Sequence, residues 1–123
     1  MQKKTRSLPI VHATLATLLI SLAIPALAHE GRTSTSPKDG DTVQDSPAKI
    51  GIEFGDVMRI TQFEVTGPNG SVPLDGQPGS EQVERYFVKP GEVLSAGNYQ
   101  VRWRGLSDDG HMMSDGFNFS IEP

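Results

Sequence analysis

Beyond residue 28 the chain alternates apolar and polar positions with a period of two. No segment there sustains the 3.6-residue apolar repeat of an amphipathic helix. Ile50, Ile52 and Phe54 alternate with Gly51 and Glu53, which predicts a half-buried strand that Gly55-Asp56 breaks. Phe63 and Val65 repeat the pattern, and Gly67-Pro68-Asn69-Gly70 predicts a hairpin turn into Ser71–Leu74. Residues 75–80 are a loop. Val83, Arg85 and Phe87 are assigned to one face of the next strand, with Tyr86 and Val88 on the other, and Pro90-Gly91 ends it. From Gly97 to Leu106, Tyr99, Val101 and Trp103 share one face, opposite Gln100, Arg102 and Arg104. A last strand, Phe117 to Ile121, turns Phe117, Phe119 and Ile121 inward.

Gly and Pro punctuate this pattern every ten residues or so. That spacing predicts an all-β fold, an immunoglobulin-like antiparallel β-sandwich or Greek-key barrel of about seven strands. Upstream, residues 29–36 are polar and expected to be loose. Ser36-Pro37-Lys38-Asp39-Gly40-Asp41 has the turn chemistry that closes one strand and opens another.

The first 28 residues differ in kind. Lys3, Lys4 and Arg6 precede an apolar run from Leu15 to Leu27, which closes on the small-residue pattern Ala26-x-Ala28. This is the layout of a secretory signal peptide, and it is short for a membrane span, which takes about 20 apolar residues. Residues 1–28 are therefore expected to be cleaved, leaving residues 29–123 as one exported domain. Removing the three leader cations leaves 8 basic against 15 acidic residues, a net charge of −7. That balance argues against nucleic acid, whose binding needs a basic footprint. No basic amphipathic helix remains to bind a membrane after cleavage. The chain has no cysteine, so packing or a metal must stabilise it in place of disulfides.

The chemistry-bearing residues lie at the two ends of the mature chain. Asp109 and His111 sit two apart in Ser107-Asp108-Asp109-Gly110-His111, between the last two strands. In extended backbone such residues point the same way, and imidazole with carboxylate suits Cu(II) or Zn(II). Alone, the pair equally fits an exposed hairpin with an isolated histidine, because Asp-Gly is a common turn dipeptide. Cleavage after Ala28 would leave His29 as the new N-terminus. Its amine and imidazole could chelate one metal, and with His111 they make three nitrogens in a T shape, a histidine brace. Asp109 could complete a tetragonal set that favours Cu(II).

These residues resemble the CopC family of periplasmic copper-binding proteins. The likeness covers His29, Thr35-Ser36-Pro37-Lys38-Asp39-Gly40, Pro47-Ala48-Lys49-Ile50 with Phe54, and Leu94 through Arg104. It continues through Ser107–His111 and closes on Gly116-Phe117-Asn118-Phe119. Thr35 stands where the family pattern has Ser. The resemblance implies a β-sandwich that holds one Cu(II) per chain through His29, Asp109 and His111. Asp56 occupies the place of a further carboxylate, as a weak or outer ligand. The resemblance also implies copper sequestration, resistance or delivery without catalysis, a monomer, and a CopD-like copper transporter in the inner membrane as a possible partner. Some members carry a Cu(I) site in a Met-rich loop, but residues 70–90 here contain neither Met nor His, so no dedicated Cu(I) site is expected. Met58, Met112 and Met113 remain as core or gap-filling residues. An axial or outer role at the metal is the alternative for Met112 or Met113.

Two other readings stand beside this one. Histidine-brace copper also serves oxidative polysaccharide-cleaving enzymes, but those need a broad aromatic face, for which two Tyr and one Trp are few. A metal-free immunoglobulin-like interaction module would leave the paired ends unexplained.

Overall fold

The computed structural model describes residues 33–123 together with Gln2 and Lys3. All of its regular elements are strands: β1 (Ser34–Ser36), β2 (Asp41–Val43), β3 (Ile50–Gly67), β4 (Gly70–Ser71), β5 (Val83–Val88), β6 (Gly97–Ser107) and β7 (Met112–Ile121). The main path runs β1-β3-β6-β7-β2, with β4 and β5 also paired to β3.

The spine is β3, 18 residues long. Its first part lies between β1 and β5, and its second part pairs with β6 and β4. The long strand thus contributes to both layers of the curled sheet, and the all-β sandwich expected from the sequence is the fold observed. Gly55-Asp56 does not end the strand, as the sequence suggested. The register against β5 jumps from Glu53↔Arg85 to Met58↔Val83, so the extra residues of β3 are absorbed as a bulge within a continuous element. Bulges re-aim a strand without terminating it. Here the bulge turns β3 from one layer toward the other.

Other expectations are amended or made specific. Every pairing is antiparallel except β2 with β7, which is parallel. The last strand starts at Met112, five residues before Phe117, because β6 offers it partners along its whole length. On β5, Tyr86 and Val88 face the core, whereas Phe87 lies across Gly51. A Cβ on Gly51 would fall 2.4 Å from the Phe87 ring, so only glycine fits beneath it. The segment predicted to be loose contains β1, held by its pairing with residues 51–53 of β3.

The core follows from the alternation. Ile50, Ile52, Ile60, Val65, Val101 and Phe119 are essentially inaccessible. Tyr99, Trp103, Phe117 and Ile121 complete the inward rows of β6 and β7. Tyr99 and Phe119 are direct cross-strand partners, and their rings stack at 5.1 Å and 7°. Such aromatic pairs add to burial by their own contact. The Tyr99 hydroxyl donates to the Ser95 carbonyl at 2.6 Å, so its polar end is satisfied. Asp39 accepts from the Asn118 amide at 3.0 Å and fastens the turn between β1 and β2 onto β7. Among the described residues no buried side-chain polar atom lacks a partner.

With Phe119 fully enclosed by this packing, Phe119→Ala is expected to cost about 3–5 kcal/mol. Denaturant unfolding monitored by Trp103 fluorescence checks this, and a loss below about 1 kcal/mol would mean that the site collapses around the cavity.

Candidate metal centre

β6 ends at Ser107 and β7 begins at Met112, so the predicted Asp-x-His motif forms the tip of the β6–β7 hairpin. Two backbone bonds close the tip: Gly110 N–H to the Ser107 carbonyl and Ser107 N–H to the His111 carbonyl, both 2.9 Å. Gly110 has φ +83°, the left-handed conformation that follows a tight turn in three-residue hairpin loops. Asp109 and His111 therefore converge because the chain turns between them. The extended-strand argument from the sequence reached the right pair through the wrong local geometry.

Asp109 is the centre of the loop's side-chain network. One carboxylate oxygen accepts from the Ser107 hydroxyl and, at 3.2 Å, from the His111 amide. The other lies 2.7 Å from His111 Nδ1. With Nδ1 against the carboxylate, Nε2 is the ring nitrogen left for a metal, the division of labour usual at metal-binding histidines. Both side chains are well exposed, 80% for His111 and 65% for Asp109. Such an exposed pair adds little to folding stability. The Ser107 hydrogen bond first, and the His111 side chain and amide after it, hold the Asp109 carboxyl down to about 2. The carboxylate is thus charged, aimed and available at any pH near neutrality.

Beside the hairpin lies a cleft of about 790 Å³. Asp56 lines it from the β3 bulge, Ser107 and Asp108 from the hairpin, and Thr33 from the start of the described chain. Asp109 and His111 do not line it. Asp56 also accepts a 2.8 Å bond from the Val57 amide, so it helps shape the bulge. Trp103 forms part of the cleft wall and meets Phe54 edge to face at 5.1 Å.

The structure therefore brings Asp109 and His111 together and puts Asp56 in the adjoining cleft. Among the described residues, no three His, Cys, Asp or Glu side chains are grouped closely enough to hold an ion. His29 lies outside the described residues, as does the expected cleavage site. Two residues had no role in the sequence reading. Ser107 orients Asp109, and a Ser two positions before an Asp in a turn is a signal that could have found it. Asp115 lines the cleft because β7 extends past Phe117. Arg102 and Arg104 lie on the exposed face opposite Trp103, as the alternation predicted.

A small β-sandwich with a carboxylate and an imidazole joined at one hairpin tip defines a class of candidate metal-binding domains. The CopC domain profile matches residues 32–122, and the chain belongs to the CopC family. It is 26% identical over 115 residues to copper resistance protein C of Escherichia coli, covering 85% of this chain and 90% of that one. Copper resistance protein C of Xanthomonas campestris pv. juglandis is 28% identical over 123 residues, covering 91% and 95%. Among solved structures, Escherichia coli PcoC, a copper resistance protein, superposes with a TM-score of 0.58 at 25% identity, over 72% of this chain and 96% of that chain. CopC from Methylosinus trichosporium OB3b gives 0.58 at 25% identity, over 73% and 90%.

The network makes a prediction about protons. Because its folded pKa is lowered from 3.8 to about 2, Asp109 favours the folded hairpin above its ordinary value, and that contribution disappears as the pH falls toward 2. Ser107→Ala removes the largest cause, so the Asp109 carboxyl should titrate closer to 3.8. Carbon-detected NMR of the side-chain carboxyl reads this directly. An unchanged midpoint would mean that the Ser107 hydroxyl does not hold the carboxylate in solution.

Proposed function

We propose that this chain is an exported, non-catalytic Cu(II)-binding protein that sequesters or delivers copper in the periplasm. One Cu(II) per chain is held by the amine and imidazole of His29, by His111 and by Asp109, with Asp56 as a weak outer ligand. The observation that carries this reading is the Asp109–His111 contact at the hairpin tip of a CopC-family chain. His111 supplies Nε2, and Asp109 exchanges its contact with Nδ1 for the metal.

The position of the N-terminal segment supports the missing half of the set. Thr33 lines the cleft that Ser107 and Asp108 border. His29 is four residues upstream, a tether that spans at most about 14 Å when extended. Such a tether would start from the cleft that the hairpin borders. Three nitrogens and a carboxylate would fill most of a tetragonal plane, which suits holding copper better than admitting oxygen. No aromatic side chain is among the exposed large hydrophobics of the described residues, so a broad aromatic platform of the kind a polysaccharide-cleaving enzyme needs finds no support. The remaining features, a monomer handing copper to a CopD-like transporter, rest on the family resemblance.

The experiment is a Cu(II) titration read by EPR, on protein that begins at His29 and on protein with one extra residue before it. One equivalent should bind with a nitrogen-rich tetragonal spectrum. The extra residue, or His111→Ala, should weaken binding by at least about 100-fold, more than the loss of an outer partner costs. Asp109→Asn should weaken binding and alter the spectrum, since the amide cannot supply the charged oxygen that suits Cu(II). Equal binding by the two N-terminal forms would remove the amine from the ligand set and sink the brace.

A further inference from the structure

The outer face of β3, β6 and β7, on the side of the sheet away from Trp103, carries a charge pattern that neither the core nor the hairpin centre uses. The register fixes which residues stand there. Arg102 lies between Glu64 and Gly116, and Arg104 lies between Gln62 and Ser114. One step nearer the hairpin, Leu106 lies between Arg59 and Met112. All three arginines are exposed, as is Met112 at 64%. A groove of about 530 Å³ runs over the part of this face that holds Arg102 and Arg104.

The guanidinium groups are open to a ligand. Among the described residues, none of the three arginines has an ion-pair partner. Two carboxylates border the groove, and both are engaged elsewhere. Glu64 stands directly across from Arg102, yet it accepts from the Gln62 side-chain amide at 2.6 Å. Asp115 pairs with Trp103, so it springs from the other side of β7, and it accepts from the Gly116 amide at 2.8 Å. Gly116 puts no side chain on the other flank of Arg102. Over residues 29–123 the net charge is −7, so this face is a local reversal of sign.

The spacing defines what fits. Residues two apart on a strand lie about 6.8 Å from each other on one side, and any extended chain has the same repeat. A guanidinium also matches a carboxylate in a two-point contact. Arginine and methionine, the residues exposed here, are enriched where proteins meet. We infer that the outer face of β3, β6 and β7 docks an acidic segment of a partner protein, extended and with carboxylates on alternate residues. Two of these meet Arg102 and Arg104, and a third meets Arg59 beside Leu106. The segment runs along β6 toward Met112, the residue after His111, so docking brings the partner to the hairpin tip. An anionic membrane fits less well, because its surface repels a chain of this net charge as a whole. A short segment feels mainly the arginines within a Debye length, about 8 Å at physiological salt.

The test is an NMR titration of protein beginning at His29 with a short capped peptide of alternating glutamate and serine, read at the arginine side-chain Nε–H signals. The signals of Arg59, Arg102 and Arg104 should shift together, and a peptide with glutamine in place of glutamate should leave them unmoved. Arg102→Gln with Arg104→Gln changes only exposed side chains, which leaves the fold intact. That variant should bind the peptide about tenfold more weakly, the sum of two exposed ion pairs near the top of their range. Glu64→Gln should tighten binding by about twofold, because it removes the carboxylate opposite Arg102. Arginine signals that do not move, a double variant that binds like its parent, or a glutamine peptide that binds equally well would each overturn the proposal. So would vesicles of phosphatidylglycerol and phosphatidylcholine that take up the parent but not the double variant while the peptide leaves the arginines unmoved, since the face would then belong to a membrane.

Discussion

The pairing of β6 with β7 is the constraint on which the candidate centre depends. Ten consecutive partner pairs, from Gly97↔Ile121 to Leu106↔Met112, run without a register shift. The buried positions along them are apolar, Tyr99, Val101 and Trp103 on β6 and Phe117, Phe119 and Ile121 on β7, and Arg102 and Arg104 lie on the exposed face. A slip of one residue would turn Trp103 outward and drive the two arginines toward the core, so one register is strongly preferred. The hairpin tip inherits that precision. The turn brings Asp109 and His111 together, and the fixed register beneath it sets where that turn falls.

The second constraint is the length of β3. A single strand that serves both layers must change direction, and the bulge between Glu53 and Met58 does this. The bulge also places Asp56 in the cleft beside the hairpin and leads into Met58 beneath that cleft. Fold and candidate site are thus joined by backbone geometry, while their energetics stay largely separate. The core of Ile50, Ile52, Val101, Phe119 and their neighbours holds the domain. The exposed Asp109–His111 pair contributes little to it, so the site residues are free to serve a ligand.

The hairpin presents imidazole and carboxylate held by hydrogen bonds, a polar arrangement in water. The adjoining cleft has Trp103 and Phe54 in its wall, with the carboxylates of Asp56, Asp108 and Asp115 among its lining.

Much of this was legible in the chain itself. The alternation of Tyr99, Val101 and Trp103, and of Phe117, Phe119 and Ile121, identifies core strands, because a residue two positions along a strand faces the same side. Asp109 and His111 are close in sequence, so their association needs only a local turn, and the motif shows it. Other features depend on partners distant in the chain. Gly55-Asp56 reads as a break until β1, β5 and β6 are present to hold β3 continuous around a bulge. Met112 reads as loop until β6 offers it Leu106, and β2 lies parallel to β7 because Asp41–Val43 pair with Phe119–Ile121. Met58 is 54 positions from Met112 in the chain, and only long-range strand pairing puts both at one cleft. Local chemistry and the period of two belong to the sequence. Which strands become neighbours, and therefore which side chains share a cleft, is decided by long-range pairing that no short stretch of residues encodes.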